Sequence, residues 1–252
     1  MVKKMVIGIV PTVKKDDINP YEYKYTYLNS YSKMITNLGA VPFGLLLNDK
    51  KINEHSLNMC NGFIIPGGKS LERFHFTIIL YALKHNKPIL GICLGMQVLN
   101  YFSILKDILI NRNIEVNEDS LWKVYEKIKN EEYFKLKDIP IPNIHGYEIM
   151  NSLIECNYDN LTKSKHDISI NKDSILYQIY NKDKISVLSL HLKQVTNVGS
   201  DFYVSAKSDD NIIEALEYKD KSYFIIGVQY HPELDDKLLF KYFLSEVEKR
   251  HV

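Results

Sequence analysis

Cysteine is scarce in this chain and none of it is paired. Cys60, Cys93 and Cys156 are the only three in 252 residues. An odd number with no Cys-x-x-Cys spacing excludes a disulfide framework and a zinc knuckle, and points to a reducing compartment, the cytoplasm. Excess charge of one sign is missing too. Lys+Arg 32 against Asp+Glu 31 leaves a formal charge of +1, so there is no bulk basic field to draw in nucleic acid or an anionic membrane. No apolar stretch approaches the roughly 20 residues of a membrane span. Two lysines precede Met5–Val10, but that apolar run is too short for a signal h-region and lacks a small-residue cleavage site, so it reads as a first strand. Internal repeats and composition breaks are absent as well. The length suits one domain over residues 1–252, and the neutral balance suits small-molecule chemistry.

What is present is a rhythm of short apolar runs alternating with helical patterns. This predicts an α/β fold with a mostly parallel central sheet covered by helices on both faces, flavodoxin-like, with a helical insertion. Met5–Val10 is the first strand. Leu28, Tyr31, Met34, Ile35 and Leu38 fall at helical spacing, so Tyr25–Leu38 is expected to be a helix stopped by Gly39. Val41–Leu47, Gly62–Ile65 and Pro88–Ile92 follow as strands, with a helix over Ile78–His85. Residues 103–165 read as the insertion, in which Leu121–Leu136 is an amphipathic helix and the stretch Leu121–Tyr147 a lid or a dimer contact. Beyond it, Ile185–Leu190, Phe202–Ser205, Ile212–Glu217 and Tyr223–Val228 are strand-like, and a helix over Asp235–Val247 closes the series.

The chemistry starts at Gly91-Ile92-Cys93-Leu94-Gly95. A strand feeding a helix through Gly-x-nucleophile-x-Gly is a nucleophile elbow, a strained turn that lifts one side chain out of the sheet and leaves no room two residues to either side. The N-terminus of the following helix favours thiolate over thiol. A nucleophilic cysteine usually has an imidazole to take its proton and a third group to orient that imidazole. His231-Pro232-Glu233 supplies both, because proline holds His231 extended at a strand end and Glu233 can turn back toward the ring. Pro66-Gly67-Gly68 also follows a strand. The N–H of Gly68 or Gly67, with that of Leu94, would form an oxyanion hole.

Competing readings are weaker. Gly67-Gly68-Lys69-Ser70 imitates a phosphate loop, but Phe63 stands where that loop needs glycine. A papain-like cysteine would carry a local signature that is absent here. Cys60 and Cys156 have no activating context, and the histidines other than His231 and His191 read as ordinary.

Pro66-Gly67-Gly68, then Gly91–Gln97, then Gly227-Val228-Gln229-Tyr230-His231-Pro232-Glu233, resembles the class I glutamine amidotransferase superfamily. Within it the chain is most similar to the γ-glutamyl hydrolase and γ-glutamyl-γ-aminobutyrate hydrolase branch, peptidase family C26. Gly39-Ala40-Val41-Pro42 and Ser189-Leu190-His191 fit that branch, whereas Leu192-Lys193 and residues 103–165 depart from it. The resemblance implies catalytic roles for Cys93, His231 and Glu233, and substrate-binding roles for Gln97, Ser189 and His191. It implies hydrolysis of a small-molecule γ-glutamyl amide through a thioester, with no metal or organic cofactor, by a homodimer or a chain paired with a separate synthase subunit. The alternatives are the glutaminase subunit of a two-component amidotransferase and a catalytically silent binding module.

Overall fold

A computed structural model describes residues 4–15, 18–19, 21–48, 51–131, 136–138 and 165–250. In chain order, β1 (Val6–Ile9) is followed by the antiparallel pair β2 (Thr12–Lys15) and β3 (Tyr23–Thr26), then α1 (Asn29–Asn37) and β4 (Val41–Gly44). A small pair, β5 (Leu47–Asn48) and β6 (Lys51–Ile52), precedes α2 (Glu54–Met59), β7 (Gly62–Ile65), α3 (Arg73–Lys84), β8 (Ile89–Ile92) and the long α4 (Leu94–Asn111). Helix α5 (Glu118–Ile128) and β9 (Lys137–Asp138) follow. The last part holds β10 (Lys165–Ile170), α6 (Ile175–Tyr180), β11 (Lys184–Leu188), β12 (Lys193–Gln194), β13 (Phe202–Ser208), β14 (Ile213–Tyr218), β15 (Ile225–Val228), α7 (Pro232–Asp235) and α8 (Lys237–Lys249).

Nine strands form one sheet in the order β11-β10-β13-β14-β15-β8-β7-β1-β4. From β15 to β4 all neighbours are parallel. From β11 to β15 they are antiparallel. The expected α/β sheet is therefore there, extended by an antiparallel wing. The central parallel strands β7, β8 and β15 are buried on both faces, as their unbroken apolar runs require, while the edge strand β4 is partly exposed. Phe63, Ile65 and Ile89 enter one core with α3, α4 and α5, while the alternate residues Ile64, Leu90 and Ile92 enter the other with α1, α6 and α8. Among the described residues no helix is long and apolar enough to cross a membrane.

Two local expectations are corrected. Tyr25 and Thr26 are not helical but lie in β3, where Tyr23–Thr26 pairs with Thr12–Lys15. Aromatic and β-branched residues suit a pleated ribbon, and the helical stripe starts only at Tyr31. The stretch that begins at residue 103 starts inside α4, whose Ser103, Ile104, Leu105 and Leu109 are buried. Helix α5 then lays Leu121, Val124 and Ile128 into the core beside α3 and α4. Its apolar face is thus covered within the chain. The expected Leu121–Leu136 helix ends at Ile128, and residues 132–135 and 139–164 of the expected insertion lie outside the described residues.

Candidate active site

Cys93 sits between β8 and α4 with φ 54 and ψ −106, a left-handed backbone that a side chain rarely adopts. Neighbouring space explains the two glycines of the elbow. A carbon added to Gly95 would lie 2.0 Å from the Ile65 carbonyl oxygen, and one on Gly91 would lie 2.7 Å from the Gly95 backbone. Helix and strand can meet this closely only without side chains. Gly95→Ala is therefore expected to lower the unfolding free energy by about 3 kcal/mol, because the obstacle is backbone and cannot swing away. Gly39→Ala, which has open space but a φ of +87, should cost only about 1 kcal/mol. Urea denaturation of the two variants checks the contrast.

The three motifs converge at the carboxyl ends of β7, β8 and β15. A carbon on Gly67 would lie 3.0 Å from His231 Cε1 and 3.4 Å from Cys93 Cβ. His231 caps the N-terminus of α7, and Glu233 lies two residues on in that short helix. The backbone N–H of His231 donates to Leu188 O at 2.8 Å, which fixes the end of β15 to the antiparallel wing. His231 Nδ1 is 2.8 Å from Glu233 Oε1. A carboxylate can only accept there, so Nδ1 carries the hydrogen and Nε2 is the atom left for proton exchange. Burial opposes charge on this ring. The Glu233 carboxylate and the Cys93 sulfur outweigh burial and hold His231 well above the ordinary imidazole value.

Cys93 is 9% exposed and heads an 18-residue helix. Cys60 is buried with no such setting. Burial pushes its thiol up to about 11 against the pull of Lys87, which keeps it protonated and inert near neutrality. Cys156 lies outside the described residues.

The two glycines after β7 differ. The Gly67 N–H donates to the Tyr31 hydroxyl at 3.1 Å, so of the two candidate oxyanion donors it is the one already engaged. Gly68 packs beside Leu94, where an added carbon would stand 3.0 Å from Leu94 Cδ2. Leu94 is the first residue of α4, where helical geometry leaves the N–H without an intrahelical acceptor.

Tyr31 was read from sequence only as part of a helix stripe. It is fully buried in α1. Burial and then the Glu233 carboxylate push its hydroxyl well above the usual phenol range, and Cys93 adds to the rise. The hydroxyl therefore ties the Gly67 turn to the Glu233 side of the site. The only sequence hint is a polar-tipped ring among Met and Ile.

The expected substrate residues are all buried. Gln97 is 5% exposed, and its side-chain amide donates to Gln229 Oε1 at 3.0 Å. Ser189 and His191 lie beyond β11, at 0% and 3% exposed. Burial pushes His191 down to about 4, and the nearby His231 adds to the fall. A cavity of about 790 Å³ lies elsewhere, between α3 and α5 around Arg73, Arg112 and Lys123.

The mostly parallel sheet with its strand-to-helix elbow at Cys93 is the class I glutamine amidotransferase-like fold. The chain belongs to the peptidase C26 family, whose model matches residues 5–77 and 70–233. It is 29% identical over 272 residues to a putative glutamine amidotransferase-like protein, RP404, of Rickettsia prowazekii, with 92% of each chain covered. A CTP synthase of Borreliella afzelii is 28% identical over 79% of this chain, which spans only 36% of that enzyme. Among solved structures, the glutaminase domain of Trypanosoma brucei CTP synthase with bound acivicin superposes with a TM-score of 0.63 at 18% identity, covering 98% of this chain and 94% of that one. These relatives mark the chain as an enzyme of the C–N hydrolase and amidotransferase type.

Proposed function

We propose that the protein hydrolyses the γ-carboxamide bond of glutamine or a γ-glutamyl amine through a γ-glutamyl thioester on Cys93. The observation that carries this reading is the convergence of Gly67, Cys93 and His231, with Glu233 bonded to the far nitrogen of the ring. The Cys93 thiolate attacks Cδ, and the carbonyl oxygen takes up negative charge against the N–H groups of Gly68 and Leu94. His231 passes its proton to the leaving nitrogen, the C–N bond breaks, and an amine and the thioester remain. His231 then removes a proton from water, hydroxide adds to the thioester, and the C–S bond breaks to give the γ-carboxylate. The high proton affinity of His231 suits the first step, in which imidazolium is the acid.

A second reading is supported by the likeness to glutaminase parts of larger enzymes. A GMP synthase of Dictyostelium discoideum described as glutamine-hydrolyzing is 28% identical over 80% of this chain, which spans 23% of that enzyme. In that reading the ammonia passes to a synthase on a separate chain. A panel of γ-glutamyl amides and glutamine, with amine or ammonia release followed, separates the two. Turnover of bulky amides by the isolated chain, at rates well above that of glutamine, is the expected result. Weak activity confined to glutamine, raised by a synthase partner, would favour the second reading.

A further inference from the structure

A second group of buried polar side chains lies on the antiparallel wing. His166 of β10, His191 of the turn after β11 and Glu214 of β14 are all buried, and one donor atom from each falls within 4.8 Å of the other two. His166 Nε2 is 3.5 Å and His191 Nε2 3.4 Å from the same oxygen, Glu214 Oε1.

The far side of each ring decides what faces the carboxylate. His191 Nδ1 is 3.0 Å from the carbonyl oxygen of Lys193, and His166 Nδ1 is 3.2 Å from that of Asp167. A carbonyl oxygen only accepts, so in each neutral ring the hydrogen sits on Nδ1 and a lone pair sits on Nε2. Two imidazole nitrogens free of a ring hydrogen then lie beside one carboxylate oxygen. This is the arrangement of metal-ligating histidines, whose outer N–H is held by a backbone carbonyl that fixes tautomer and ring orientation. The spacing agrees. Ligands about 2.05 Å from a tetrahedral zinc ion stand about 3.3 Å apart, close to the two nitrogen–oxygen separations here. Both exceed the usual 2.9–3.0 Å or so of an N–H···O hydrogen bond.

We propose that His166 Nε2, His191 Nε2 and the Glu214 carboxylate form a binding site for a borderline first-row dication of the Zn²⁺ class. Two nitrogens and one carboxylate match that preference better than Mg²⁺ or Ca²⁺, which take all-oxygen sets. The site lies behind the catalytic histidine. The backbone carbonyl of Glu214 accepts the Gln229 N–H at 2.8 Å, and Leu188, three residues before His191, holds the His231 N–H. A bound ion would cross-link β10, β14 and the turn after β11 beneath that corner. The proposal is independent of the substrate.

The test uses the full chain carrying Cys93→Ser, which removes the competing thiolate, stripped with a chelator and then titrated with Zn²⁺ by calorimetry and with Co²⁺ by visible spectroscopy. One equivalent should bind, with the intense visible bands of low-coordinate Co²⁺. His191→Gln and Glu214→Gln should each weaken binding by about 100-fold or more, and His85→Gln, at the exposed end of α3, should not. Imidazole ¹⁵N spectra of the same Cys93→Ser chain give a readout that does not depend on whether those variants fold. Zn²⁺ should move the Nε2 resonances of two histidines and leave both Nδ1 sites protonated. Absence of stoichiometric binding, binding unchanged by His191→Gln and Glu214→Gln, or unmoved Nε2 resonances would each overturn the site.

Discussion

Cys93→Ser is expected to lower kcat/KM for every γ-glutamyl substrate by about 10⁴-fold or more, while the urea midpoint stays close to that of the wild type. The two side chains differ by one atom, and serine can take the same left-handed turn at φ 54. What is lost is the nucleophile. A serine hydroxyl keeps its proton near neutrality, whereas a thiol gives its proton up far more readily. Steady-state release of amine, read beside an unfolding curve, tests the claim. Activity within tenfold of wild type would mean that the sulfur is not the attacking atom.

Glu233→Gln should be the second-largest effect, lowering kcat by about 10²–10⁴-fold. The amide keeps the shape but removes the negative charge, and its NH₂ can replace the acceptor that fixes the Nδ1–H tautomer. The sign of the accompanying pH change follows from the electrostatics. His231 stands high chiefly because Glu233 and Cys93 overcome the cost of burial. Without the carboxylate one of the two groups that offset burial is gone, and the ring loses its proton at lower pH. The alkaline limb of kcat/KM, where the acid that serves the leaving amine is lost, should therefore move to lower pH in Glu233→Gln. A limb that stays in place, or moves up, would show that another group supplies that proton.

The parallel half of the sheet and the candidate site were legible because each signal was local. Gly91-Ile92-Cys93-Leu94-Gly95 announces an elbow through the two places where a side chain cannot fit, and the backbone approach at Gly95 bears this out. His231-Pro232-Glu233 carries its own geometry in three consecutive residues. Other features depend on pairing across distance. Tyr23–Thr26 forms a strand only because Thr12–Lys15 lies beside it. Apolar residues of α5 look like a free amphipathic face until α3 and α4 cover them.

The His166, His191 and Glu214 group was illegible for a sharper reason. Its members come from three segments, and register shifts in β13 between Val204 and Ala206 and between Ala206 and Lys207 alter the alternation opposite β14. A bulge of this kind re-aims side chains in a way that no period of two foretells. Tyr31 was similarly hidden, since its partners Gly67 and Glu233 lie on other elements.

The most direct measurement is acid quenching of the wild-type chain during turnover of a γ-glutamyl amide, followed by peptide mass mapping. One γ-glutamyl group is expected on the peptide that contains Cys93, released by hydroxylamine, with Cys60 unmodified. Continued turnover with no adduct on that peptide, or with Cys93 already alkylated, would contradict the thioester mechanism.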